Sequence, residues 1–264
     1  MERNKHIERD KNSGVKIFDN RSLEVDYRTL KPFLEEGMRV LDVGCGTGAI
    51  SKDIAKVVGP KGKVTGIDNT EKFILSGRET YGEVSNLELL HKDFYDYAPS
   101  EKFDLIVSAR MFQWLNNPES AMKKLKSLLK ENGTISVLDY NHEELEWNPR
   151  PPDSIQEFYN TFLKWRKQSG LNNRMAEDLS DVMKSAGLGS IEIFNSDEFY
   201  DRDRPDFHSK VGIWSKVAGS TQMVEEGLLD NQLRLKAIEE YDDWVKNEAV
   251  SMCMKLKEVR GKLI

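Results

Sequence analysis

The stretch Val40-Leu41-Asp42-Val43-Gly44-Cys45-Gly46-Thr47-Gly48 decides how the rest of this chain is read. Up to Val43 it is apolar enough for a buried strand, Arg39–Val43. Three glycines at alternate positions follow. Beyond them Ile50, Ile54, Val57 and Val58 recur at helical spacing until Gly59-Pro60 breaks the pattern. The stretch is therefore a strand, a turn and a helix start. Glycines at 44, 46 and 48 let the backbone bend sharply and let a ligand approach with no Cβ in the way. The helix start offers free N–H groups and an end that favours a carboxylate. Residues 44–49 also satisfy the G-x-G-x-x-G/A pattern of dinucleotide sites. Taken alone, the loop fits an adenosine cofactor of more than one kind, or only a tight turn. A phosphate-gripping loop is excluded, because no Gly-Lys-Ser/Thr follows.

Outward from this loop, strands and helices alternate. Lys63–Asp68 reads as a second strand ending in an acid, and Asn69 or Thr70 can cap a helix carrying Phe73 and Ile74. A carboxylate at Asp68 is placed to accept ribose hydroxyls, as in dinucleotide sites. A third strand, Leu87–His91, leads to Asp93-Phe94, an acceptor beside a ring that suits an adenine. A fourth strand spans 103–108. Asn117-Pro118 opens a helix with the stripe Ala121, Leu125, Leu128 and Leu129, which Asn132-Gly133 is expected to stop before a fifth strand at 134–140. Alternation of this kind implies right-handed crossovers and a mostly parallel sheet. The second half is more helical. Helices are expected over Asp153–Gln168, from Met175 to Gly187, over 207–217 and over 229–245, with a short strand at 190–194. In the last strand Val250, Met252, Met254 and Leu256 alternate with polar residues, a one-sided pattern that suits antiparallel pairing. A further short helix is expected at 23–34.

These pieces together resemble the class I S-adenosylmethionine-dependent methyltransferases. Residues 40–48 look like that family's first motif, Gly66-Ile67-Asp68-Asn69 like its acidic motif, Lys92-Asp93-Phe94 like its adenine-side motif and Phe103-Asp104-Leu105-Ile106-Val107-Ser108 like its fourth-strand motif. The runs Phe112-Gln113-Trp114-Leu115 and Asn117-Pro118-Glu119-Ser120-Ala121 are similar to its small-molecule members. The resemblance covers roughly residues 40–140. It implies a Rossmann-like, seven-stranded mixed sheet with the last strand antiparallel, helices on both faces and a helical cap. By domain it implies an N-terminal segment and helix at 1–35 and a cofactor-binding α/β core at 36–140. The rest of the core, with helical insertions, would span 141–248, and the closing strand 249–264. It implies S-adenosyl-L-methionine as cofactor, held by Asp42, Gly44, Cys45, Gly46, Gly48, Asp68, Asn69, Asp93, Phe94, Ser108, Ala109 and Arg110. Arg110 departs from the family, as does Gln113, where many relatives carry His. Tyr27 or Arg28 is expected to close the methionine end.

Composition narrows the partners. The 264 residues carry a net charge of −6, which weighs against a broad nucleic-acid footprint. No run approaches the ~20 apolar residues of a membrane span, and residues 1–11 lack the apolar core of a secretory signal. Two cysteines, Cys45 and Cys253, make no disulfide framework, and no metal-ligand spacing is present. A cytoplasmic enzyme acting on a small molecule, without nucleic acid, membrane or metal, is the expectation; oligomeric state is left unassigned. Methyl transfer from a sulfonium needs alignment more than acid–base groups, so the one candidate base is His142, which follows the fifth strand; His208 is weaker, and His91 is expected only to end its strand. The aromatic segments around Trp147, Phe158, Tyr159, Phe162, Trp165, Tyr200, Phe207, Trp214 and Trp244 are expected either to cap the acceptor site or to pack as core. Two other functions stay open at this stage, an NAD(P)-dependent oxidoreductase using the same loop and a non-catalytic scaffold.

Overall fold

The computed structural model describes residues 21–263; the first twenty residues, expected to be a loosely held polar segment, lie outside them. The chain divides into two compact units, one α/β and one mainly helical. The helical unit comprises Tyr140–Arg174 and Asp197–Leu256, and the α/β unit the remaining described residues.

In the α/β unit the sequence order is a short helix α1 (Leu23–Asp26), β1 (Arg39–Val43), α2 (Ala49–Val58), β2 (Lys63–Asp68), α3 (Glu71–Tyr81), β3 (Leu87–His91), β4 (Phe103–Ala109), α4 (Pro118–Ser127) and the first part of β5 (Leu129–Asn148). The helix α6 (Met175–Ser185), the strand β6 (Gly189–Asn195) and the last part of β8 (Ser251–Lys262) complete it. Strand order is β3-β2-β1-β4-β5-β8-β6. β1 pairs in parallel with β2 and β4, β2 with β3, and β4 with β5, whereas β6 is antiparallel to β8. This is the expected Rossmann-like mixed sheet. Its near-continuous apolar strands are covered on both faces, as parallel strands require. Leu41, Val43, Ile106, Val137, Leu179 and Val259 share one core cluster. The α4 start follows its sequence signals: Asn117 caps it by accepting from the Ser120 N–H at 2.8 Å, with Pro118 in the first turn.

Three local readings change. The helix expected at 23–34 is the four-residue α1 and a separate 3-10 turn, Lys31–Phe33; Tyr27 leaves helical geometry at φ −145°. The α4 stripe ends earlier than expected, because Leu129 already pairs with Phe103 across an irregular register that resumes at Leu105–Thr134. The fifth strand, expected at 134–140, runs from Leu129 to Asn148, whereas the last strand, Ser251–Lys262, stays within the expected 249–264. Glu258 and Arg260 continue the buried parity of Met252, Met254 and Leu256, and they pair with one another at 2.6 Å.

The helical unit holds α5 (Asp153–Gln168), a short strand β7 (Glu198–Asp201) antiparallel to β8, α7 (Phe207–Val211), α8 (Ile213–Ala218), α9 (Gln222–Glu225) and α10 (Asn231–Asn247). The helix expected at 207–217 is two, separated at Gly212. Phe158, Tyr159, Trp214, Tyr241 and Trp244 are buried here. Trp147 Nε1 donates to Tyr241 Oη at 3.0 Å, and that hydroxyl donates to the Val211 carbonyl at 2.9 Å. Among the described residues no helix is long and apolar enough to cross a membrane.

Candidate functional site

The glycine loop leaves β1 at the carboxyl edge of the sheet, where open α/β sheets bind ligands. Gly44, Gly46 and Gly48 all have positive φ, at 73°, 59° and 86°. Two of them also meet steric demands of the fold itself. A Cβ on Gly44 would lie 2.7 Å from Met111 Cγ, and one on Gly48 2.8 Å from Leu89 Cδ2. The Gly44 and Cys45 N–H groups both donate to the Ile67 carbonyl, at 2.8 and 3.1 Å, so the turn is stitched to the end of β2.

Asp68, at the end of β2, grips the same loop. Its Oδ2 accepts from the Gly46 N–H at 3.0 Å and its Oδ1 from the Thr70 N–H at 2.9 Å. Each carboxylate oxygen has a second lone pair, and the residue is only half-buried, so acceptor capacity is left for a ligand hydroxyl. Asp42 lies one strand over, 4% exposed, and accepts from Ser51 Oγ at 2.6 Å. Burial, opposed by the Ser51 hydrogen bond and reinforced by the nearby Asp68 charge, pushes its carboxyl up to about 6. Burial and the Asp42 and Asp68 charges also push the Cys45 thiol up. An open pocket is lined by Arg21, Asp42, the loop residues Gly44, Cys45 and Gly46, and Ala109 from β4.

Residues 34–188, more than half of the chain, match the family of methyltransferase domains. The chain belongs to the class I S-adenosylmethionine-dependent methyltransferases. This methyltransferase is 25% identical over 223 residues to malonyl-(acyl-carrier protein) O-methyltransferase 2 of Ilyobacter polytropus, covering 76% of this chain and 86% of that one. It is 26% identical over 181 residues to the demethylmenaquinone methyltransferase of Staphylococcus aureus, covering 61% and 71%. A solved structure of Haemonchus contortus phosphoethanolamine N-methyltransferase 2, with phosphomonomethylethanolamine and S-adenosylhomocysteine bound, shares the fold. Its TM-score is 0.59 at 14% identity, over 96% of this chain and 57% of that one. The family resolves the ambiguity of the glycine loop: the cofactor is S-adenosylmethionine.

Within the methyltransferase, the sequence-expected residues take different positions. Asp42, Gly44, Cys45, Gly46 and Ala109 share the pocket. Asn69 is exposed beside Asp68, and its carbonyl lies 3.2 Å from His91 Nε2. Asp93 is exposed, with Oδ1 accepting from the Tyr95 N–H at 2.9 Å; the half-buried Phe94 lies against the core and against Tyr95, centroids 4.1 Å apart. Ser108 donates its hydroxyl to the Val43 carbonyl at 2.8 Å and so fixes β4 to the end of β1. Arg110 faces neither solvent nor the pocket. It sits at φ 61°, and its buried guanidinium donates to the Asp26 carbonyl at 3.0 Å, with the Asp26 carboxylate 3.8 Å away.

The N-terminal segment is tied down by more than Arg110. Tyr27 Oη lies 2.8 Å from Ser136 Oγ, which donates to Glu258 Oε1 at 2.6 Å, while Arg260 reaches both Glu258 and the Thr29 carbonyl. Burial above all raises the Tyr27 phenol well beyond its ordinary value. Tyr27 is thus part of a buried polar chain, and Arg28 is exposed, lining a separate groove with Phe33 and Phe194.

Sequence reasoning missed two features here. Arg21 lies among the polar residues that open the chain, with no pattern to single it out. Asp139 did leave a signal: it is a fully buried acid inside an apolar strand. It accepts from the Gln113 side chain at 2.8 Å and from the Gln113 N–H at 2.9 Å. Gln113 therefore anchors the 3-10 turn Phe112–Trp114 that follows β4. In the helical unit His142 is 6% exposed and enclosed by Tyr140, Phe162 and Trp214 at 5.2, 6.3 and 6.1 Å between ring centroids. Burial, with the Arg166 charge, holds its pKa well down, so the imidazole is neutral at pH 7.

Proposed function

We propose that this methyltransferase moves a methyl group to a small-molecule acceptor by in-line displacement, with the cofactor seated at the carboxyl ends of β1, β2 and β4. The observation that carries the seat is a glycine loop with a carboxylate on either side of it: Asp42 lines the pocket with Gly44 and Gly46, and Asp68 accepts from the Gly46 N–H with lone pairs to spare. That acceptor set fits the hydroxyls and the ammonium of the cofactor.

Bound S-adenosylmethionine supplies a methyl group on a sulfonium already activated for displacement. The chain's part is to orient and to exclude water, and orientation alone is worth on the order of 7–11 kcal/mol of barrier. Gly44, Cys45, Gly46 and Gly48 pass beneath the methionine portion. Asp42 backs the loop through Ser51 and offers a charge to the amino end. Asp68 accepts from the ribose with the lone pairs that Gly46 and Thr70 leave, and Asn69 lies beside it. Asp93 and Phe94 hold the adenine. Ala109 lines the wall that Ser108 and Arg110 fix in place. His142 stays the candidate general base of the helical unit, neutral at pH 7 but enclosed by Tyr140, Phe162 and Trp214.

The small-molecule reading is supported by the resemblance to small-molecule members, by the net charge of −6 and by relatives named for malonyl-(acyl-carrier protein) and demethylmenaquinone. Recognition of the acceptor stays assigned to the aromatic-bearing helical unit, with the half-buried Trp147 foremost. The test is calorimetric titration with S-adenosylhomocysteine, NADH serving as control, followed by mass spectrometry of small molecules incubated with enzyme and S-adenosylmethionine. Saturable binding of S-adenosylhomocysteine alone and a product one methyl group heavier are expected. Absence of binding would overturn the cofactor seat, and methylation confined to amino-acid side chains of protein or to nucleic acid would overturn the acceptor class.

A further inference from the structure

A groove on the α/β unit shares no residue with the pocket at the glycine loop. Its volume is about 540 Å3, and it is lined by Arg28, Thr29, Pro32, Phe33, Phe194 and Arg260. That volume is in the range of small-molecule sites. We propose that the groove binds an aromatic carboxylate, with the anion on Arg260 and the ring against Phe33 and Phe194.

Arg260 is 6% exposed, yet part of its guanidinium is left over. Its Nε donates to Glu258 Oε1 at 2.6 Å and its Nη2 to the Thr29 carbonyl, and among the described residues Nη1 has no hydrogen-bond partner. A guanidinium has only donors, so Nη1 can serve an acceptor that comes from outside. The group is held in place for that task. The Phe33 and Phe194 rings flank it, with centroids 4.7 and 4.2 Å from Cζ. Glu258 is fixed in turn by Ser136, which donates to the same oxygen at 2.6 Å. Thr29 Oγ1 lies 3.0 Å from Ser196 Oγ and so ties the groove's N-terminal wall to the residue after β6. Arg28, exposed in the same groove, brings a second positive charge, so an anion is favoured over a neutral ligand. The planar, weakly hydrated guanidinium matches a carboxylate. Phe33 and Phe194 are half-buried, and with Pro32 they offer apolar surface on which a flat ring can pack.

Charge and ring can be separated chemically. Equilibrium dialysis of the full chain would be run against 2-naphthoate, 2-naphthalenemethanol and acetate. The alcohol keeps the ring without the charge, and acetate keeps the charge without the ring. 2-Naphthoate should bind saturably and roughly tenfold or more tightly than either, because a charge-assisted hydrogen bond and a ring contact both contribute. Saturating S-adenosylhomocysteine should leave that binding unchanged. Arg260→Lys keeps a charge beside Glu258 but loses the planar fork, and Phe194→Ala removes one ring; each should weaken 2-naphthoate by roughly fivefold or more. Phe194 lies on β6, the edge strand of the sheet, so Phe194→Ala decides the matter if Arg260→Lys does not fold. No saturable binding to the wild-type chain, equal binding of the alcohol, displacement by S-adenosylhomocysteine, or an unchanged affinity in Phe194→Ala would overturn the proposal.

Discussion

Gly77 lies inside α3, where helix propensity and packing make opposite predictions. Replacing an interior helical glycine with alanine ordinarily stabilises by about 1 kcal/mol. Here a Cβ on Gly77 would lie 2.0 Å from the Thr47 carbonyl oxygen and 2.8 Å from Leu89 Cδ1. Leu89 can yield at its methyl, but the carbonyl is backbone. Carbon–oxygen contacts normally begin near 3.3 Å, so a gap of about 1.3 Å has to be opened between α3 and the glycine loop. Overpacking of this kind costs typically 1–3 kcal/mol. The upper end applies, because Gly46 and Gly48 on either side of Thr47 are held at positive φ and the loop is stitched to β2. Set against the propensity gain, Gly77→Ala should destabilise by about 2 kcal/mol, a fall in melting temperature of roughly 4–8 °C for a chain of this size. The atom that must move belongs to the cofactor loop, so S-adenosylhomocysteine should also bind more weakly. Thermal unfolding followed by circular dichroism, with calorimetric titration on the same preparation, measures both. An unchanged or raised melting temperature would refute the reasoning, because propensity would then have outweighed a contact that cannot relax cheaply.

Three further outcomes are expected. Asp68→Ala should weaken S-adenosylhomocysteine by about 1.5–3 kcal/mol, the range for hydrogen bonds to a charged group; an unchanged dissociation constant would remove Asp68 from the site. Asp42 is held near 6 against an ordinary value of about 4, so it is protonated in both folded and unfolded chains below pH ~4, and its stabilising contribution is lost as pH rises through about 6. A ligand ammonium beside it, with Arg21, Ser51 and Asp68 as its other polar neighbours, favours the ionised form. Binding should then release a proton and be about tenfold tighter at pH 7 than at pH 5, and a flat pH profile of affinity would separate Asp42 from the ammonium. Tyr27→Phe removes one link of the Tyr27–Ser136–Glu258 chain and should cost about 1 kcal/mol in denaturant unfolding, whereas no loss would mean that the N-terminal segment is held by its apolar contacts alone.

Much of the α/β unit was readable because parallel strands write their burial directly into sequence. Arg39–Val43, Lys63–Asp68 and Leu87–His91 appear with their expected bounds. The misreadings share one cause, a residue whose tertiary partner outweighs its local preference. Leu129 looked like the end of a helical stripe until Phe103 paired with it. Glu258 and Arg260 carry no sequence signal of their role, because two charges at buried positions are costly unless they meet, and their meeting with each other and with Ser136 is a tertiary fact. Arg110 looked like a ligand contact because sequence does not show that the helix expected at 23–34 ends at a carbonyl, that of Asp26, which takes its guanidinium. In the helical unit the aromatic stripes gave their helices, but rings that pack against one another use the same letters as rings that line a pocket. Tyr159 and Trp214, with centroids 4.7 Å apart, meet each other first.

The glycines of the loop are weaker functional evidence than they look, and Asp42 is stronger. Gly44 and Gly48 are required by positive φ and by the crowding of Met111 and Leu89, so the fold would demand them even without a ligand. No such requirement falls on an acid at position 42. A carboxyl with its pKa pushed from about 4 to about 6 forfeits roughly 3 kcal/mol of stability when ionised at pH 7. That is a large share of the total for a domain of ordinary stability. An uncharged residue able to accept from Ser51 would hold the loop without that loss. On the proposed seat the residue is matched by a ligand that brings a positive charge to it, the ammonium of S-adenosylmethionine. Asp42 rather than the glycine spacing is therefore the residue in this loop whose presence argues for a cofactor.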